Sequence, residues 1–229
     1  MLAIIQARLS SKRLPGKVLR PLAGRPMLAH LLDRLAQARA LSSVVVATSD
    51  RADDDPIAEL CARGGVRCYR GQLDDVAERL AGAAEWMGAE AFVRICGDSP
   101  LTDSALVDAV VELYQGADID LATNVQVRTF PKGLSVEAVR VAALRRAQRL
   151  MEPGEAEHVT QVFYRRPQDF RIANLTSGHD WGGVQMSIDT AEDFALAERM
   201  LAAIARSPAR YGLRELLTLR ERCLADMVS

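Results

Sequence analysis

Short apolar runs alternate with amphipathic stretches along most of this chain. Residues 2–5, 44–48, 66–69 and 91–96 are compact runs of the length of buried strands. Behind the first run, Leu28, Leu31, Leu32 and Leu35 recur at helical spacing. Pro26 opens that helix at its first turn, where the missing N–H costs nothing. A second helix begins at Asp54-Asp55-Pro56 and stops at Gly64-Gly65. A third covers 74–87, with Val76, Leu80, Ala83 or Ala84, and Met87 on one face, and a fourth covers 103–114, before a fifth strand at 119–123. This rhythm predicts an α/β protein with a largely parallel sheet and helices on both faces. The second half is less regular. Strands are predicted at 135–139, 170–175 and 184–188, and helices at 142–151, 155–164, 191–205 and 211–225. No repeat, low-complexity tract or linker divides the chain, so residues 1–229 read as one domain. The irregular stretch 128–183 is where an insertion or dimerisation arm would fit.

Composition removes several function classes. The 29 Lys and Arg balance 30 Asp and Glu, for a net charge of -1, whereas nucleic-acid or membrane-surface binding usually shows a basic excess. Cys61, Cys68, Cys96 and Cys223 form no Cys-x-x-Cys pair, and with three histidines neither a zinc site nor a disulfide framework is indicated. Reduced, mostly buried thiols are expected. Arg8, Lys12 and Arg13 follow the first apolar run too closely for a signal peptide, and no run approaches the roughly 18 apolar residues of a membrane span. The expected location is the cytoplasm, with no membrane and no nucleic-acid partner.

Open α/β sheets bind ligands beyond the carboxyl ends of their strands. Three strand ends carry unusual residues. The first leads into a loop with five potential anion ligands, Arg8, Lys12, Arg13, Lys17 and Arg20, within thirteen residues. The hydroxyls of Ser10 and Ser11 and a Pro15-Gly16 turn accompany them. Such a loop can supply the fixed cations and backbone N–H groups that a triphosphate needs, although it is not a Walker motif; the alternative is a solvated basic loop. The second strand end, Cys96-Gly97-Asp98-Ser99-Pro100, places a carboxylate where it can ligate a hard cation or cap the next turn. The third, Ile188-Asp189-Thr190, offers the same choice, with Glu192 and Asp193 behind it favouring a helix N-terminus. Thr190 can cap while Asp189 points at a metal. Together the two aspartates and the basic loop form a coherent magnesium–triphosphate site.

These motifs resemble the CMP-sugar cytidylyltransferases, a group that includes the CMP-KDO and CMP-acylneuraminate synthetases, and most of all the spore coat polysaccharide cytidylyltransferase family. The resemblance is carried by Ile4-Ile5-Gln6-Ala7-Arg8 through Leu14-Pro15-Gly16-Lys17, by Gly24-Arg25-Pro26-Met27, and by Ala47-Thr48-Ser49-Asp50. It continues in Arg70-Gly71 with Asp74-Asp75-Val76, Arg94 through Leu101, Phe130 through Leu134, Glu157-His158-Val159-Thr160 and Ile188 through Phe194. It implies a Rossmann-like nucleotide-diphospho-sugar transferase fold, a three-layer α/β/α sandwich on a mostly parallel mixed sheet, and a CTP site. Arg8, Ser10, Ser11, Arg13 and Lys17 would hold the triphosphate, Asp98 and Asp189 would bind magnesium, and Arg70 and Asp75 would sit near the nucleoside. Otherwise Asp75 and Arg79 would form a surface pair at i,i+4 spacing.

The chain departs from the pattern in three places. Ser10-Ser11-Lys12-Arg13 stands where Gly-Ser-Thr-Arg is usual, Ser135 stands where an Asp is frequent, and Gln185 and Ser187 replace bulkier residues. The implied reaction is attack by an acceptor oxygen on the α-phosphorus of CTP, with pyrophosphate leaving. The acceptor is expected to be an acidic sugar-like molecule and the assembly a homodimer. His158 is a general-base candidate, or simply a structural histidine. The rival readings are a nucleotidyltransferase using another NTP or a phosphate acceptor, a glycosyltransferase of the same fold, and a non-catalytic binding domain. A glycosyltransferase would use an Asp-x-Asp motif, and the only spacings of that kind are Asp53-Asp54-Asp55 and Asp118-Ile119-Asp120.

Overall fold

A computed structural model describes residues 1–204 and 211–228. Four parallel strands form one half of its principal sheet: β1 (Leu2–Gln6), β4 (Ser43–Ser49), β5 (Arg67–Gly71) and β6 (Ala91–Cys96). A two-stranded hairpin, β2 (Pro21–Leu22) with β3 (Arg25–Pro26), precedes helix α1 (Met27–Leu35). The sheet continues through β7 (Leu121–Thr123), β8 (Glu137–Arg140) and β9 (Ile172–Asn174), in the order β5-β4-β1-β6-β8-β7-β9. Within this sheet β8 pairs antiparallel with both β6 and β7, and the other pairings among the described residues are parallel.

Strand alternation sorts the side chains onto two faces. Ala3, Ile5, Val46, Val93 and Ile95 face one hydrophobic core. It is closed by α1, α2 (Asp55–Arg63), α4 (Ser104–Gln115), α7 (Ala191–Ala203) and α8 (Leu213–Val228). Leu2, Ile4, Val45, Ala47 and Phe92 face the other, closed by α3 (Val76–Trp86), α5 (Val141–Gln148) and α6 (Gln161–Arg165). The architecture is the three-layer sandwich predicted.

Three expectations need correction. Residues 184–188 do not form a strand; their one sheet-like pairing is a bridge between Lys132 and Gln185. The N–H groups of Met186 and Ser187 both donate to the Lys132 carbonyl, at 2.7 and 3.0 Å, so the segment converges on one residue and no ladder develops. The helix expected at 155–164 is broken into a 3-10 turn, Glu155–His158, and α6. The break falls at Val159, whose φ of 29° is unusual for a β-branched residue. Finally, 128–183 is not a separate arm, because it supplies β8 to the interior of the sheet and β9 to its edge. Residue 205, the expected end of α7, lies outside the described residues.

Candidate active site

The parallel strands β1, β4 and β6 end at the same edge of the sheet, and the basic loop leaves from β1 there. It is a folded loop. The Gly16 and Ser11 N–H groups both donate to the Leu9 carbonyl at 2.9 Å, and Ser11 Oγ accepts from Leu14 N at 3.4 Å. Leu14 and Val18 are buried beneath it. Gly16, at φ 71°, reverses the chain into a 3-10 turn, Lys17–Leu19, that aims Lys17 inward. Asp54 pins the loop to β4, accepting from Leu9 N at 2.7 Å, Ser49 N at 3.1 Å and Ser49 Oγ. A sequence reading takes Asp54 for the start of a helix; at 1% exposure it is a buried staple.

Lys17 is the centre of the site. Its ammonium donates to Asp98 Oδ2 at 3.2 Å, Asp189 Oδ1 at 3.1 Å and the Ile188 carbonyl at 2.6 Å. Arg13 approaches the same Asp189 oxygen at 2.9 Å. Ile188 N donates to the Asp98 carbonyl at 2.9 Å, so the backbone itself couples the two aspartates. Neither is a helix cap. Asp103 caps α4, accepting from Ala105 N at 3.0 Å, and Thr190 caps α7 in a reciprocal capping box with Asp193. Asp189 Oδ2 instead meets Ser187 Oγ and Gln185 Nε2, each at 3.3 Å. Burial works against ionising Asp189, but Lys17, Arg13 and Ser187 outweigh it and hold the carboxyl below the usual carboxylate range.

Two glycines fit this edge for steric reasons. A Cβ on Gly97 would meet the Gln6 carbonyl at 2.9 Å. One on Gly133, whose φ is 94°, would meet Ser187 N at 2.2 Å. Gly133 therefore lets the segment bearing Asp189 pack against the 131–134 turn.

A cavity of about 380 Å³ opens over Asp98, Asp189 and Lys17 and is lined as well by Arg8, Ser11 and Arg13. Glu157 and His158 close one side, and Glu157 pairs with the Arg8 guanidinium. The sequence-derived candidates do not all converge here. Ser10 lies exposed on the loop and is not in the lining. Arg70 lies outside it, spanning Asp55 at 2.6 Å and the carbonyls of Ser49 and Arg51. Asp75 caps α3 through Glu78 N at 2.8 Å, and Arg79 is buried against the Gln72 and Leu73 carbonyls, so they form no surface pair. The Asp-x-Asp spacings are engaged elsewhere: Asp55 holds Arg70, and Asp118 and Asp120 pair with Arg140, Arg146 and Arg171.

Gln6, Arg94 and Cys96 also line the cavity, and behind them lie residues that no short motif announces. Arg94 Nε donates to Gln6 Oε1 at 2.8 Å, and its Nη1 pairs with Glu137. Glu137 also accepts from the Tyr164 hydroxyl, which lies 2.8 Å from Thr123 Oγ1. A guanidinium only donates, so it fixes the Gln6 amide with its oxygen inward. Beside it, burial pushes the Cys96 thiol up to about 11, which keeps it neutral and a poor nucleophile at pH 7.

Among the described residues no group of three or more His, Cys, Asp or Glu is placed to cage a metal. Two convergent carboxylates suit magnesium, which usually takes one or two and completes its shell with water and phosphate oxygens. That they already share an ammonium shows that the site accommodates positive charge.

Known proteins resemble this chain in sequence and fold. The spore coat polysaccharide biosynthesis protein SpsF of Bacillus subtilis is 32% identical over 232 residues, covering 97% of this chain and 94% of that protein. The 3-deoxy-manno-octulosonate cytidylyltransferase of Geobacter sulfurreducens is 40% identical over 143 residues, covering 61% of this chain and 56% of that enzyme. Among solved structures, a cytidylyltransferase from Leptospira borgpetersenii superposes with a TM-score of 0.92 at 28% identity, over 98% of this chain and 95% of that one. The fold is the Rossmann-like one of the nucleotidyltransferases. A model of the cytidylyltransferase family matches residues 2–215, a span that holds the basic loop and both aspartates, and this chain belongs to that family.

Proposed function

We propose that this protein transfers CMP from CTP to an acidic sugar or sugar-like acceptor, releasing pyrophosphate, in the assembly of a surface polysaccharide or glycoconjugate. The observation that carries the reading is Lys17 lying between Asp98 and Asp189 under a loop of further cations. The names of the Bacillus and Geobacter relatives support the pathway and the acidity of the acceptor. Arg8, Arg13 and Lys17 bind and orient the triphosphate, with Lys12 at the same cavity wall. An acceptor oxygen forms the new bond to the α-phosphorus. The α–β bridging bond breaks, its electron pair leaves with pyrophosphate, and any hydroxyl proton passes to solvent. Charge grows on phosphate oxygens, so fixed cations stabilise the transition state more than the ground state.

Asp98 and Asp189 are the proposed holders of a magnesium ion. Bound there, the ion would supply neutralisation of phosphate charge and acidification of an acceptor hydroxyl. His158 is exposed at the cavity wall and Glu157 is occupied by Arg8, and an acceptor that reacts through an ionised oxygen needs neither as a base.

The protein is proposed to act in the cytoplasm as a homodimer. Among the described residues no helix is long and apolar enough to cross a membrane. The deciding experiment compares melting temperatures with each NTP plus magnesium, then follows pyrophosphate release with candidate acid sugars. CTP is expected to give the largest shift, because only ligand bound to the native state adds RT ln(1 + [L]/Kd). Equal shifts with all four nucleotides would remove the cytidine assignment.

A further inference from the structure

Three N–H bonds leave the Lys17 ammonium, and the structure gives it three acceptors: Asp98 Oδ2, Asp189 Oδ1 and the Ile188 carbonyl. At 9% exposure the side chain is nearly buried, so solvent screens these contacts little. Arg13 adds a second cation on Asp189 Oδ1, and Arg8 is paired with Glu157. Every cation of this trio is therefore held by a site carboxylate. A divalent ion entering alone would compete with Lys17 for both carboxylates and meet two positive charges at contact distance.

We infer that Lys17 is the resident cation of the metal site in the free protein, and that a divalent ion takes the site only when a triphosphate draws Lys17 away. The inference rests on the assignment of Asp98 and Asp189 as metal holders. Lys17 reaches the site on a flexible four-carbon stem from the Lys17–Leu19 turn, so its ammonium can transfer to phosphate oxygens while the backbone stays in place. The incoming anion gives Lys17 and Arg13 new partners at the moment the carboxylates are freed. Metal and nucleotide thus favour each other's binding, and by linkage each does so by the same factor. Lys17 and Arg13 together also keep the two carboxylates neutralised between turnovers, so the free protein has no strongly acidic pocket to collect stray divalent ions.

Manganese serves as the probe, its free aqua ion counted by electron paramagnetic resonance, with wild-type protein and Lys17→Met. Without nucleotide, the wild-type chain should bind Mn²⁺ at least tenfold more weakly than Lys17→Met, which should take one ion per chain. Mn²⁺ alone should raise the melting temperature of Lys17→Met and leave that of the wild type unchanged. Adding Asp98→Asn to Lys17→Met should abolish the gained ion. Equal Mn²⁺ affinity of the two proteins, or a wild type that fills one site per chain without nucleotide, would overturn the inference. Should Lys17→Met fail to fold, Lys17→Gln takes its place, and the wild-type titration remains decisive. A last arm compares CTP plus Mn²⁺ with CTP plus chelator on the wild type. No manganese-dependent stabilisation there would sink the metal assignment itself. Stabilisation there, with equal affinities without nucleotide, would sink the Lys17 inference alone.

Discussion

Asp98 and Asp189 come from distant parts of the sequence and meet across one ammonium. Asp98→Asn or Asp189→Asn keeps size and removes one carboxylate charge. Activity is expected to fall about a hundredfold or more, roughly 3 kcal/mol of transition-state stabilisation. Because both residues are proposed to hold one metal ion, the double variant should lose much less than the product of the single losses. Melting should change by a few degrees at most, because Lys17 keeps the Ile188 carbonyl and one carboxylate. Normal turnover by both variants would refute their catalytic placement. Lys17, Asp98 and Asp189 were legible as candidates in sequence because each sits in a short motif. Asp54 and Glu137 were not, because each makes its decisive contact with a residue brought near only by the fold. Arg70 and Asp75 show the converse. Their types suit a nucleoside site, yet their contacts here are with the 49–55 loop and the end of α3.

At the level of elements, apolar periodicity located the helices and the parallel strands well, because each buries one stripe or run against the sheet. It failed at the Glu155–His158 turn, where a polar staple decides. Arg165 grips Glu155 with Nε and Nη2, both at 2.8 Å, and Glu152 N adds a third bond. Arg165 first, and that N–H next, pull the Glu155 carboxyl down to about 2. A depressed carboxylate stabilises the fold above its unfolded value, near 4.5, and the contribution fades as pH falls toward 2. The turn presents Glu157 and His158 to the cavity, so its hold matters to the site. The wild-type melting advantage over Glu155→Gln should be constant above pH 5 and shrink below about pH 4.5. An advantage that persisted undiminished to pH 2 would show that the ion pair does not act as described. Residues 184–188 misled for another reason. Their alternation buries Met186 and Ile188 as a strand would, but their backbone bonds converge on Lys132 and Asp98.

For the whole molecule, the reversed strand β8 lies between β6 and β7, so the second half of the chain is woven into the sheet begun by the first. Alternation could predict the layers but not this reversal, since a strand's period carries no direction. Among the described residues β9 has a neighbour on one side only, and Val127 nearby stands 57% exposed. That edge is the expected contact of the proposed homodimer. Light scattering at micromolar concentration should give about twice the 25.0 kDa chain mass, and a fully active monomer would exclude it. The segment carrying Asp189 has a different consequence. Bonded through the backbone to Lys132 and Asp98 but paired in no ladder, residues 184–188 can open without disturbing the sheet. Their amides should exchange with deuterium far faster than those of β1 or β4, and CTP with magnesium should slow them selectively. The clock of this enzyme would then be set by how often that strap lifts to release pyrophosphate, so product release and local opening would share one rate.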